Sequence, residues 1–172
     1  YTPCYYGDEN FTVIITASYY FGDVFCDFDS DGYRLPAEAE WEYFCRAGTS
    51  TPFSGDETGY SEATCDSCDL GILPILENIG WFCANAPDET KLVGQKAANP
   101  WNIKDLHGNV SEWCWDFLEN NYPDGPVTDY FGPDTYYIMK IRRARGGSFG
   151  SYPWNCRSAD RYSLNQSWAY PI

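Results

Sequence analysis

Eight cysteines and a single histidine bound the chemistry open to this chain of 172 residues. Cys65 and Cys68 form a Cys-x-x-Cys, a spacing that serves a redox pair, half of a zinc site or a local disulfide. Neither a βαβ pattern of the thioredoxin type nor a second cysteine pair at zinc spacing accompanies it, which favours the local disulfide. An even cysteine count in a small acidic chain also points to an oxidising compartment. A different chemistry is written between residues 27 and 38. Asp27, Asp29 and Asp31 alternate, Gly32 follows and Glu38 closes the run, the spacing of oxygen ligands in an EF-hand calcium loop. An EF-hand loop follows a helix, however, and the residues before this one read as strand. The same residues also read as the turn into a helix at Pro36.

The elements that must position these groups are short. The hydrophobic share of 44% leans on 15 Tyr, 10 Phe and 7 Trp, which favours strands and loops over a helical bundle. Phe11 to Phe28 alternates loosely around Gly22-Asp23 and reads as a hairpin, with Cys4 and Cys26 placed to clamp its ends. Pro36 to Ala47 reads as a helix: Pro36 suits the first turn, Glu38 and Glu40 complement the dipole, and Arg46 with Gly48 supplies the stop. Ala37, Trp41, Phe44 and Cys45 share its expected buried face. Strands are expected at Asn109–Phe117 and from Tyr136 through Arg145 into Gly146-Gly147-Ser148-Phe149, where glycines permit a bend. Pro, Gly, Asn and Asp punctuate the rest as loop. The length suits one domain over residues 1–172.

A net charge of -14 makes nucleic acid and anionic lipid poor partners, because counterion release needs clustered Lys and Arg. Cations are the better match. Lys140, Arg142, Arg143 and Arg145 form the one basic run and read as a solvated cluster that offsets part of the acidity. The longest aliphatic stretch, Val13 to Ile15, is far short of the roughly 20 residues a membrane span needs. Phe149 to Ile172 carries Tyr152, Trp154, Asn155, Tyr162, Trp168 and Tyr170, a composition that suits a recognition surface and equally suits the filling of a helix-poor core.

Three blocks carry a resemblance: Gly32-Tyr-Arg-Leu-Pro-Ala-Glu-Ala-Glu-Trp-Glu-Tyr43, Asp105-Leu-His-Gly-Asn-Val-Ser-Glu-Trp-Cys-Trp-Asp116, and Arg145-Gly-Gly-Ser-Phe149 followed by Cys156-Arg-Ser-Ala-Asp-Arg161. In this order and spacing they resemble the sulfatase-modifying-factor family, which includes formylglycine-generating enzymes. The resemblance implies an α+β, loop-rich variant of the C-type-lectin-like fold. It also implies that the family's usual segment before Tyr1 and its final strand after Ile172 are missing, as in a processed or truncated piece.

For the site residues, the resemblance implies calcium (Ca2+) held by Asp105, the carbonyls of Gly108 and Val110, and Glu112, an oxygen set that suits a hard cation. A second calcium maps onto Asn78 and Ile79, with Asn85 further on. Cys45 and Cys156 are expected to form a disulfide, although the family's usual partner position is Ser158. Cys83 and Cys114 are then left as a further pair. Formylglycine-generating enzymes oxidise a substrate cysteine with oxygen at a copper held by two cysteines four residues apart. Here the equivalent stretch, Ser148 to Cys156, has one cysteine, and a lone thiol cannot make a copper(I) site. A related iron branch needs three histidines, whereas His107, read as a turn residue, stands alone. The expectation is a non-catalytic, extracytoplasmic binding or structural module for a protein or glycan, or a subunit of a larger assembly, with Tyr152, Trp154, Asn155, Trp168 and Tyr170 at the binding face. The alternative is a formylglycine-generating or other thiol-dependent oxidoreductase.

Overall fold

The computed structural model describes residues 1–15, 23–55, 66–71, 73–119, 121–133 and 141–165. Two compact units divide the chain, Tyr1–Leu35 and Pro36–Ile172.

In the first unit, strand β1 (Tyr5–Tyr6) pairs antiparallel with β2 (Phe25–Cys26), and Tyr6 also bridges Ile14. The alternating segment therefore folds against β1, and the centre of the expected hairpin lies outside the described residues. Register explains why Cys4 and Cys26 remain thiols. Cys26 lies opposite Tyr5 while the Cys4 carbonyl accepts the Asp27 N–H, so successive side chains place the two cysteines on opposite faces. Asp27 turns its carboxylate onto its own loop, accepting the Asp29 N–H and the Ser30 hydroxyl, and Asp31 accepts the Thr2 N–H at 2.6 Å.

The second unit begins with helix α1 (Glu38–Arg46). Glu40 reaches back to accept the Ala37 N–H at 2.8 Å, which satisfies a donor the helix leaves open, and Ala47 ends the helix in the left-handed region at φ 47°. Its inner face is Glu38, Trp41 and Cys45, and Phe44 lies 42% exposed. Ala37, Trp41 and Cys45 are buried as expected, and the correction is Phe44, whose inward place is taken by Glu38 because charged partners await it. Helix α2 (Pro74–Ile79) leads directly into β3 (Gly80–Trp81), which pairs in parallel with β4 (His107–Gly108). Strands β5 (Glu112–Phe117), β6 (Ile141–Arg145) and β7 (Tyr162–Asn165) form an antiparallel sheet in that order.

Two apolar clusters hold this unit. One gathers Phe53, Leu73, Leu76, Ile79 and Phe82, and the other Trp41, Cys45, Leu106 and Cys114. Between α1 and the sheet lies a buried ionic network. Arg145, fully enclosed, donates to Glu38 at 3.0 Å, to Glu42 at 2.7 Å and to the Ser158 carbonyl at 2.6 Å. Arg161 grips Glu38 with two nitrogens at 2.8 and 2.6 Å. Three members of the basic run, Arg142, Arg143 and Arg145, are thus internal rather than solvated, and Lys140 lies outside the described residues. Glu38 is committed to these arginines, which removes the last ligand of the EF-hand pattern.

Candidate functional site

The turn from Asp105 to Glu112 is built around close backbone approach. Gly108 (φ 79°) lies so near β3 that a Cβ there would fall 1.8 Å from the Trp81 carbonyl. Asn109 follows at φ 63°, a conformation its short polar side chain tolerates, and its amide clasps Lys91: Oδ1 accepts the Lys91 N–H and Nδ2 donates to the Lys91 carbonyl. Asp105, also left-handed at φ 63°, accepts the Gly94 N–H on Oδ2 at 2.6 Å, while its Oδ1 is buried with no hydrogen-bond partner. Glu112 accepts the Trp41 indole N–H at 2.5 Å. Burial pushes the Glu112 carboxyl up, and the Asp105 charge adds to that rise.

These observations fit a cation. The Glu112 carboxyl is raised chiefly by burial and further by the Asp105 charge, and the buried Asp105 Oδ1 is left without a donor, an expensive arrangement unless an ion completes it. Among the described residues no group of three or more His, Cys, Asp or Glu side chains forms a metal cluster, so an ion here would draw on backbone oxygens. Asp105, Gly108, Val110 and Glu112 are the residues that would hold it. The second expected calcium corner, at Asn78 and Ile79, already takes part in the chain's own hydrogen bonds. The Asn78 carbonyl accepts the Ala97 N–H, Ile79 is buried in the core, and Asn85 bonds the Gly80 carbonyl and the Phe82 N–H. The cation at that helix end is the chain's own: Lys96 donates to the Glu77 carbonyl and rests 3.8 Å from the Trp81 ring centroid.

Three hydrogen bonds staple the Asp105–Glu112 turn to the glycine turn after β6. The Gly108 N–H donates to the Gly146 carbonyl at 2.7 Å, the Phe149 N–H to the Asn109 carbonyl at 2.9 Å, and the Ser111 hydroxyl to the Gly147 carbonyl at 3.1 Å. Gly147 (φ 72°) is packed so tightly that a Cβ would meet the Cys156 sulfur at 2.8 Å. Above this floor opens a cleft of about 430 Å³. Ser148 and Ser151 line it with their hydroxyls 3.0 Å apart, Tyr152 and Asn155 enter from the 3-10 helix Pro153–Cys156 and its cap, and Asp160, Tyr162 and Leu164 complete the wall. Of the residues expected to bind, Tyr152 and Asn155 are in the cleft. Trp154 is 40% exposed but does not line it, and Trp168 and Tyr170 lie outside the described residues. Ser111, Ser148, Ser151 and Asp160 were not anticipated. Ser111, Ser148 and Asp160 each stand within one of the three blocks, and the hydroxyls of Ser148 and Ser151 around a glycine are the available signal.

The family profile of the Sulfatase-modifying factor enzyme 1-like domain matches residues 5–169. This chain belongs to that family. Among its relatives are the chaperone protein LppX of Paenibacillus barcinonensis, 36% identical over 101 residues (56% of this chain, 35% of that protein), and the formylglycine-generating enzyme of Mycobacterium tuberculosis, 33% identical over 106 residues (59% and 33%). The chain spans about a third of the length of these curated relatives. In structure it resembles Treponema denticola variable protein 1, with a TM-score of 0.74 and 28% identity over 95% of this chain and 57% of that one. The α+β, loop-rich architecture is the C-type-lectin-like fold of the family.

Within this sulfatase-modifying-factor domain the cysteines are arranged differently from the expected pattern. Cys68 pairs with Cys83, not with Cys65, which lies outside the described residues, and Cys83 is therefore unavailable to Cys114. The Cα atoms of the bonded pair are 5.3 Å apart, within disulfide reach, because α2 and β3 fold back beneath the preceding loop. Cys45 and Cys156 are buried and not bridged. Cys45 points to the family's usual partner position instead, its sulfur 3.4 Å from the Ser158 hydroxyl, where serine cannot close a bridge.

His107, expected as a turn residue, lies in the two-residue strand β4. It is fully enclosed, with Nδ1–H donating to the Cys156 carbonyl at 2.7 Å, which leaves Nε2 to accept from the Ser54 hydroxyl at 2.9 Å. Cys45 lies 3.6 Å from the same nitrogen, but burial holds its thiol up at about 12, so the pair does not make a thiolate nucleophile. Burial depresses His107 to about 4. Its neutral form therefore stabilises the fold above the ordinary histidine value, and that contribution is lost as pH falls from about 6.5 towards 4. Asp116, raised to about 6 by burial, acts in the opposite sense over much of the same window. A melt against pH would blend the two, so ring-resolved NMR is the informative measurement: the His107 imidazole signals should keep neutral positions down to about pH 5. A midpoint near 6.5 would contradict the enclosed geometry.

Proposed function

We propose that this domain is a non-catalytic binding module of the extracytoplasmic space, in which calcium at the Asp105–Glu112 turn steadies a cleft that recognises a protein or glycan, alone or as a subunit of a larger assembly. The observation that carries this reading is the make-up of the cleft. Its floor is the Gly-Gly-Ser turn, its walls are hydroxyls, an amide, a carboxylate and tyrosine rings, and no cysteine is among its described lining residues. Cys156 lies fully buried beneath Gly147. The volume falls in the range of about 300–1,000 Å³ usual for small-ligand sites.

Calcium would supply charge neutralisation at Asp105 and Glu112. The chain's own residues do the rest: Ser111, between two of the ion's positions, fixes Gly147, and Asn109 fixes Phe149. The disulfide Cys68–Cys83 supports an oxidising location, and no helix among the described residues is long and apolar enough to cross a membrane. Relatives named as a chaperone and as a variable protein are in keeping with recognition rather than turnover.

The test is to incubate the protein with copper, oxygen and a cysteine-bearing peptide and follow the peptide by mass spectrometry. The peptide thiol is expected to stay intact beyond the protein-free control. Conversion to an aldehyde that disappears on Cys156→Ser would establish the oxidoreductase alternative.

A further inference from the structure

On the reading of this cleft as a binding site, we infer that its ligand is a neutral saccharide end group, with one pyranose ring seated between Tyr152, Tyr162, Asn155 and Asp160. Tyr152 and Tyr162 line the same cleft and stay 47% and 50% exposed, so ring surface is available for a ligand to cover. A pyranose offers what such rings accept, a face of C–H groups over a π-face, with hydroxyls around its edge.

The polar groups match that edge. Asp160 is an acceptor when ionised, and the Asn155 amide both donates and accepts. Their mutual contact, Nδ2 to Oδ2, is 3.5 Å, at the limit of a hydrogen bond, so a pair of neighbouring hydroxyls can bridge them with little lost. Ser148 and Ser151 hold each other, and the Ser148 N–H donates to the Ser151 hydroxyl, so their oxygens are fixed in direction before a ligand arrives.

Charge decides for a neutral sugar. Despite the chain's net -14, Asp160 is the one charged side chain among the described residues of the wall, and the Arg157 guanidinium beside the cleft already stands 3.8 Å from its carboxylate. An ammonium ligand would have to compete with Arg157, and an acidic one would meet Asp160.

The experiment is a microarray of neutral, acidic and amino glycans, followed by NMR titration with the methyl pyranosides of the sugars it retains and, in parallel, with a pool of short random peptides. A neutral glycan is expected to bind saturably and shift Tyr152 and Tyr162. Tyr152→Ala and Tyr162→Ala should each weaken it about five- to tenfold, and Asp160→Asn about tenfold. Both tyrosines are exposed, so their variants should melt with the wild type, separating lost binding from lost fold. Preference for charged glycans overturns the inference. Peptides that shift the two tyrosines while glycans do not overturn it but keep the cleft as a binding site, and silence to both overturns the binding reading with it.

Discussion

Glu38→Gln is expected to cost about 3–5 kcal/mol of stability and to lower the melting midpoint by about 10 °C or more. Glu38 is 1% exposed and is the shared acceptor for Arg145 at 3.0 Å and for both forks of Arg161. Arg143 stands 3.7 Å away as a third positive neighbour. The amide keeps the shape and removes the charge, so enclosed guanidinium groups are left without their counterion. That residual charge, rather than the loss of one favourable pair, sets the size of the effect. Arg145 would still hold Glu42 and the Ser158 carbonyl, which limits the loss to this range rather than unfolding the protein outright. Thermal and urea denaturation of the variant measure it. A change below about 1 kcal/mol, typical of an exposed ion pair, would show that the network is hydrated in solution.

Much of the frame was legible in the residues, and what escaped was long-range. Pro36, Glu40 and Gly48 mark α1 because capping is local chemistry, and the alternation of β5 was visible for the same reason. Glu38 read as a dipole partner at a helix start, whereas it lies 107 residues from the arginine that neutralises it. The run Arg142, Arg143 and Arg145 consequently read as solvated, although Arg143 and Arg145 are buried against the carboxylates of α1 and Arg142 is buried over the Trp115 and Phe117 rings. Cysteine pairing failed likewise: Cys68 has Cys65 as its neighbour in sequence, but the fold-back of α2 and β3 delivers Cys83. In the cleft, Tyr152 and Asn155 were legible as a recognition composition. Ser111 was not, because it sits in a strand-like alternation with tryptophans, and its role appears only when the two turns meet. The Asp105–Glu112 turn was legible as a motif, and its geometry added the orphaned Asp105 oxygen that a motif cannot display.

The claim at the centre of this account is that an ion at this turn supports the cleft, and the most direct measurement is the melting midpoint of the non-reduced protein in EDTA and after calcium is restored, for the wild type and for Asp105→Asn. At about a hundredfold excess over the dissociation constant, binding to the folded state alone adds about 2.7 kcal/mol. For a chain of this size that corresponds to a rise of about 5–10 °C. Asp105→Asn removes the charge of the carboxylate whose Oδ1 has no other partner, and should abolish most of the rise while leaving the EDTA midpoint unchanged or higher, since repulsion with Glu112 is relieved. A wild-type midpoint that calcium does not move, or a rise of the same size in Asp105→Asn, would contradict the account.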